Sequence, residues 1–274
     1  MPEDSESFDP VEPDDSADAA AALAAPQSPD DAGPRPSTVV GAATDIGRLR
    51  RVNEDGYLAL APAFIVVDGM GGHASGRTAA RTALGALLPL VGSRITDRAD
   101  VVDAVLAAGE AVAAIPSQAA NPPGATIAGA VLADLPEGRT WIVFNVGDSR
   151  VYLLRDDLLS QLSHDHSQVQ ELVDAGHLTR AEAHIDSRRN VVTRALGAGL
   201  DQPAYPELHL VEARVGDRIL VCSDGLSDEL DDDALAAVLG SGLGAQRTAE
   251  AAVAAALEAG GHDNVTALVV DLSE

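Results

Sequence analysis

The sequence predicts an α+β fold in which antiparallel sheets carry helices on their outer faces. Three observations predict it. Short runs of β-branched and aliphatic residues follow one another with only tight turns between, most plainly in WIVFNVGDSRVYLLRDDLLSQL at 141–162, which is hairpin or meander behaviour. The regular strand–helix–strand alternation of a parallel sheet is missing. Long alanine-rich segments with helical periodicity separate groups of strands.

Residues 1–37 are a separate regime. They hold seven of the fifteen prolines and ten acids against one Arg, and their alanine patch at 19–25 is too short to be a stable helix alone. A disordered acidic tail is expected there, with the folded domain over 38–274. Strands are expected near 38–44, 56–60, 63–68, 126–134, 140–147, 150–155, 158–163, 206–212, 217–222 and 265–271, each an apolar or alternating run bounded by turn residues. Helices are expected near 74–92, 99–115, 166–176, 179–184, 231–240 and 246–259, where apolar positions recur at helical spacing. No internal repeat is evident.

Composition excludes several function classes. With 274 residues the chain can bury one sizeable core. No apolar run approaches the ~18 residues of a bilayer span, and no secretory signal opens the chain. A net charge of -25 repels nucleic acid and anionic membranes. All eighteen basic residues are Arg, which removes the lysine of P-loop and kinase sites and all Schiff-base chemistry. One cysteine leaves neither a disulfide framework nor a cysteine zinc site. A monomer free in the cytoplasm is expected.

The chemistry concentrates in acids at the ends of apolar runs. Phe64–Val67 ends on Asp68 in a glycine-rich stretch, DGMGGHASG; Trp141–Val146 ends in Gly147-Asp148-Ser149; Ile219–Cys222 ends in Ser223-Asp224-Gly225. Gly261-His262-Asp263-Asn264 opens the run 265–270, and Glu54 and Asp55 precede another strand. Antiparallel pairing sets the end of one strand beside the start of its neighbour, so Asp263 can share an edge with Asp68 and Asp224. Carboxylates converging in this way cannot all ionise unless cations neutralise them. Arg50 is the one basic side chain placed to help, so hard divalent cations, Mg²⁺ or Mn²⁺, with oxygen ligands are the expected answer.

From Thr38 onward the chain resembles the metal-dependent serine/threonine protein phosphatases of the protein phosphatase 2C (PPM) type, in their compact bacterial form. The resemblance rests on RRVNED at 50–55, DGMGGHASG at 68–76, GATIAGAVL at 124–132, NVGDSRVYLLR at 145–155, LSHDHSQVQELVDAG at 162–176, NVVTRALG at 190–197, CSDGLSDEL at 222–230 and GHDNVTALVV at 261–270. It implies a four-layer α-β-β-α sandwich. It further implies that Asp68 bridges two metals, that Asp224 and Asp263 complete one site, and that Glu54 with the Gly69 carbonyl holds the other. Asp148 and Asp228 match positions that bind a third metal with Asp224. Asp55 would orient the attacking water and Asn264 would support the site from behind. Arg50 matches the phosphate-binding arginine. His73 is a candidate general acid, although a histidine in a glycine loop can equally pack or hydrogen-bond.

The implied reaction is hydrolysis of phosphoserine and phosphothreonine in proteins by a hydroxide shared between two metals, opposing bacterial Ser/Thr kinases. The alternatives are an inactive relative that only binds phosphoproteins, though no metal carboxylate is missing, and a phosphatase of anti-sigma-factor antagonists. Relatives of the latter kind lack the flap that this chain carries at 170–190. Chain end Glu274 follows the last catalytic strand, where many relatives continue into a membrane span, and this favours a free enzyme. A cysteine-dependent phosphatase needs an Arg six residues after its Cys, where this chain has Asp228. A dinucleotide site at Gly69–Ala74 would set Asp68 against the pyrophosphate. His164 and His166 are read as structural.

Overall fold

The computed structural model describes residues 37–71, 74–117, 122–199 and 204–274. The expected tail lies outside these residues except for Ser37, which already pairs in the first strand. In chain order the strands are β1 (Ser37–Asp45), β2 (Asp55–Leu60), β3 (Ala63–Met70), β4 (Gly124–Leu135), β5 (Gly138–Val146), β6 (Arg150–Arg155), β7 (Leu158–Gln161), β8 (Leu196–Gly197), β9 (Glu207–Glu212), β10 (Arg218–Cys222) and β11 (Val265–Ser273). The helices are α1 (Ala74–Leu87), α2 (Arg98–Ala113), α3 (Gln168–Asp174), α4 (Arg180–Ile185), α5 (Asp224–Ser227), α6 (Asp232–Leu239) and α7 (Ala245–Ala259).

The strands form two sheets, β1-β11-β10-β6-β7 and β2-β3-β4-β5-β9, and every pairing is antiparallel. β8 pairs with Gly124 and Ala125 of β4, just beyond the point where β5 ends. Side-chain alternation explains the layers. In β3, Phe64 and Val66 meet Val151, Ile219, Val221 and Leu268 of the other sheet. Their neighbours Ile65 and Val67 point the other way, onto Ala79 and Ala83 of α1 and Val105 of α2. On the second sheet Leu220, Ala267 and Val269 turn outward onto Leu235 of α6 and Ala249 and Ala252 of α7. A strand covered on both faces must be apolar throughout, which is why FIVV shows no alternation in sequence. The result is the four-layer sandwich that the resemblance implies.

Where the elements differ from expectation, the cause is local. α1 stops at Leu87 because Pro89 cannot continue a helix, and Leu88–Leu90 form a 3₁₀ turn instead. β3 runs on through Asp68 and Gly69 to Met70, so Asp68 stands inside a strand. The flap folds as expected: α3 is capped by Ser167, Gly176 turns the chain with φ of 71°, and a Thr179–Glu182 capping box starts α4. α5 and β8, at four and two residues, are too short to leave a periodic signal.

Candidate active site

Strand register brings the acids into one cleft. Asp55 of β2 faces Asp68 of β3, and Thr126 of β4 flanks Asp68 on the other side. Asp148 lies just past β5, and Asp224 just past β10 in the first turn of α5. Asp263 lies just before β11, whose Ala267 is opposite Cys222 of β10. A cavity of about 220 Å³ is lined by Arg50, Glu54, Asp68, Gly69, Asp148, Asp224, Asp263 and Asn264. Asp228, one turn beyond Asp224, lines a neighbouring cavity of about 510 Å³ beneath the flap that shares Asp148 and Asp224 with the first.

Long-range hydrogen bonds hold the loop that carries Arg50 and Glu54. Asn264 donates through Nδ2 to the carbonyls of Ile46 (2.9 Å) and Val52 (3.0 Å), and its Oδ1 accepts from the Glu54 N–H at 2.9 Å. Glycine is obligatory beneath Glu54. A Cβ on Gly69 would stand 2.1 Å from the Gly76 carbonyl oxygen, and one on Gly76 would stand 2.6 Å from Glu54 Oε1. Asp55 Oδ2 accepts two hydroxyl bonds, from Ser223 at 2.8 Å and Thr266 at 2.6 Å. Ser223 and Thr266 were not singled out in the sequence. Their role depends on the pairing of β10 with β11, which a single serine or threonine does not advertise.

The electrostatics are those of crowded anions. Burial pushes the Asp68 carboxyl well above the carboxylate range, and Asp55, Asp224 and Asp148 push it further. Asp224 is raised likewise, by burial and then by Asp148, Asp228 and Asp263. Burial lifts Asp148 to about 7, with Asp165 adding to it, and Asp55 to about 6. Asp228 is raised by burial too. Arg50 forms an ion pair with Asp263. Partial burial would lower its pKa, but Asp263, Asp224 and Asp68 more than offset this.

The donor set fits hard divalent cations in type and charge. Oδ1 of Asp55 and Oδ1 of Asp224 are buried with no hydrogen-bond partner, a costly state for a carboxylate oxygen unless a cation meets it. Among the described residues, no three Asp, Glu, His or Cys side chains are closed into a metal-sized shell as they stand. The crowded charge is offset in part by the Arg50–Asp263 ion pair.

The remaining candidates are also placed. His73 lies outside the described residues. Cys222 is buried and its thiol is pushed up to about 12 by burial, so it is no nucleophile. His164 pairs with Asp174 at 2.8 Å. The buried His166 accepts from the Gly147 N–H at 3.1 Å. The two histidines therefore do not converge on a metal.

No helix of the described residues is long and apolar enough to cross a membrane. The family profile described as protein phosphatase 2C matches residues 52–259. The serine/threonine protein phosphatase PstP of Mycobacterium tuberculosis is 39% identical over 233 residues, which is 84% of this chain and 44% of PstP. The chain thus spans less than half the length of that relative. The serine/threonine phosphatase stp of Listeria innocua is 31% identical over 249 residues, covering 83% of this chain and 93% of stp. A crystal structure of the PstP catalytic domain in complex with two manganese ions superposes with a TM-score of 0.77 at 36% identity, over 86% of this chain and 99% of that one. With the family profile covering most of the sequence and the sandwich shared, this chain belongs to the protein phosphatase 2C family.

Proposed function

We propose that the chain hydrolyses phosphoserine and phosphothreonine in proteins with the help of two divalent cations, Mn²⁺ or Mg²⁺. The observation that carries this reading is the cleft itself, where Asp68, Asp224 and Asp148 crowd until burial and mutual repulsion drive their pKa values up. Asp68 would serve both metals, Asp224 and Asp263 one of them, and Glu54 with the Gly69 carbonyl the other. Asp148 and Asp228 would hold a third with Asp224. When bound, the cations supply a water acidified toward hydroxide and a Lewis-acid clamp on the phosphoryl oxygens.

The chain's own residues do the rest. Arg50, half exposed at the mouth of the cleft, offers a planar fork to two phosphoryl oxygens. Asp55 is fixed by Ser223 and Thr266 through one oxygen, which leaves Oδ1 to hold a water in line with phosphorus. Asn264 keeps Arg50 and Glu54 at their stations by pinning the loop between them. His73 is proposed to give the leaving alkoxide its proton. The flap at 170–190 supports a general protein phosphatase, with the targets of a Ser/Thr kinase as partners.

The test is hydrolysis of a phosphothreonine peptide by the chain with Mn²⁺, by the chain with EDTA, and by Asp263→Asn with Mn²⁺. Activity in the first condition alone is expected. Folded protein that binds Mn²⁺ and hydrolyses neither this peptide nor a phosphoprotein would leave the phosphoprotein-binding relative as the reading. Charge makes a second prediction. Residues 1–36 carry ten acids and one Arg, so removing them should raise kcat/KM for an anionic phosphopeptide at low salt, with the gain vanishing above about 0.5 M salt. Equal rates at low salt would discard a role for the tail charge.

A further inference from the structure

The chain's acids outnumber its arginines 43 to 18, and exposed arginines such as Arg94, Arg188 and Arg214 pair with Asp134, Asp186 and Glu212. Three arginines around the cleft do not. Arg48 and Arg51 flank Arg50 in the loop between β1 and β2, and Arg77 stands in the first turn of α1. All three are exposed, and none forms an ion pair with a carboxylate among the described residues. Two of them are pinned by one edge. Arg48 Nε donates to the Leu257 carbonyl at 2.8 Å, and Arg77 Nε donates to the Asn53 carbonyl at 3.1 Å. Pinning through Nε fixes the guanidinium plane and leaves the outer pair of N–H groups for a further acceptor. Arg51 makes no side-chain hydrogen bond among the described residues.

Their anchors tie them to the cleft. The Arg48 N–H donates to the Gly261 carbonyl at 2.7 Å, two residues from Asp263, and Asn53 adjoins Glu54. Arg51 adjoins Arg50, which lines the cleft, and Arg48 stands two residues of backbone, roughly 7 Å, from it. An extended peptide advances about 3.3 Å per residue, so a substrate whose phosphate sits at Arg50 presents residues two to four positions away to this rim. We infer that Arg48, Arg51 and Arg77 form a specificity surface for a second anionic group on the substrate, an Asp or Glu carboxylate or another phosphoryl group, flanking the phosphorylated residue. This inference rests on the phosphatase reading of the cleft. At long range the net charge of -25 repels such a substrate, so the rim acts at contact, in KM.

The experiment uses the full chain with Mn²⁺ at low salt and three fluorescein-labelled phosphothreonine peptides. They differ only at the positions three residues to either side, which carry Gln at both, Glu at both, or a second phosphothreonine at one and Gln at the other. The expected KM is about tenfold lower for the Glu peptide than for the Gln peptide at similar kcat, the yield of its two added carboxylates pairing with the rim. A still lower KM for the doubly phosphorylated peptide, with Glu equal to Gln, would assign the rim to a second phosphate. The variant Arg48→Gln/Arg51→Gln/Arg77→Gln should bring the peptides within twofold of one another and leave hydrolysis of para-nitrophenyl phosphate unchanged. Arg51→Gln alone, which disturbs no hydrogen bond among the described residues, should remove part of the preference if the triple variant fails to fold. Equal KM for all three peptides, or a preference that survives the variants, would overturn the inference. Should the wild type hydrolyse neither peptide nor para-nitrophenyl phosphate, the phosphatase reading fails instead. Fluorescence anisotropy of the same peptides would then still decide the rim, by tighter or equal binding of the anionic ones.

Discussion

Asp68→Asn is expected to lower turnover of a phosphothreonine peptide by about 10³-fold or more in saturating Mn²⁺. Losing an outer-shell partner of a metal ligand typically costs about 10–100-fold, and Asp68 is the carboxylate proposed to serve both metals, so its loss should exceed that range. The fold should survive. Asn is isosteric, and the substitution removes the most crowded negative charge in the cleft, the one that Asp55, Asp224 and Asp148 all oppose. A melting temperature at or above wild type in EDTA, together with lost turnover, is the expected pair of readings. Turnover within tenfold of wild type would remove Asp68 from the centre of the mechanism.

Without metal, the protein should lose stability as pH rises from 5 to 8. The sign follows from linkage. Asp55, at about 6, and Asp148, at about 7, hold protons in the folded chain that their unfolded counterparts release near pH 4. Asp68 and Asp224 are raised as well. A folded state that binds more protons than the unfolded state loses stability as pH rises through its raised pKa values. The stabilisation is complete below pH 4 and is lost as pH rises from there through the folded values, about 6 for Asp55 and about 7 for Asp148. His166 works the other way, since burial lowers its pKa, but it is one group against five, Asp228 being raised too. Asp68 and Asp224 line the cleft and are only partly buried, and water there damps the effect. A total of about 3 kcal/mol is reasonable, or about 10 °C in Tm for a domain of this size. Differential scanning calorimetry in EDTA at pH 5 and pH 8 measures it. Mn²⁺ should raise Tm most at pH 8, because the cation replaces the protons that the carboxylates would otherwise need. A Tm in EDTA that rises from pH 5 to pH 8 would mean that the acids are not in conflict.

The cleft was legible in sequence because buried strands leave a strong mark and a charge at the end of one is conspicuous. FIVV followed by Asp68, and ILVC followed by Ser223-Asp224, are each a core run that stops on a group unfit for a core. The same reasoning misplaced the boundary at Asp68. β3 continues to Met70 because Thr126 and Gly124 of β4 go on pairing with it, and a single strand does not show where its neighbour ends. Ser223 and Thr266 stayed invisible for a related cause: small hydroxyl residues beside strands are common, and only the β10–β11 register aims these two at Asp55 Oδ2.

What the sequence determined by itself was the inventory: two sheets' worth of apolar strands, helices to cover them, and oxygen donors at the ends of the right runs. These are local properties, fixed by side-chain alternation and by the cost of burying a charge. What only the tertiary structure decided was which oxygens meet. Asn264 reaches Val52 across 212 residues of sequence, and Arg50 reaches Asp263 across 213. Those encounters depend on strand register and on a loop held by backbone carbonyls, and neither is encoded within a few residues of the atoms concerned. Crowding of charge is a sum over such encounters, so the chemistry of the cleft emerges only when the sheets close around it.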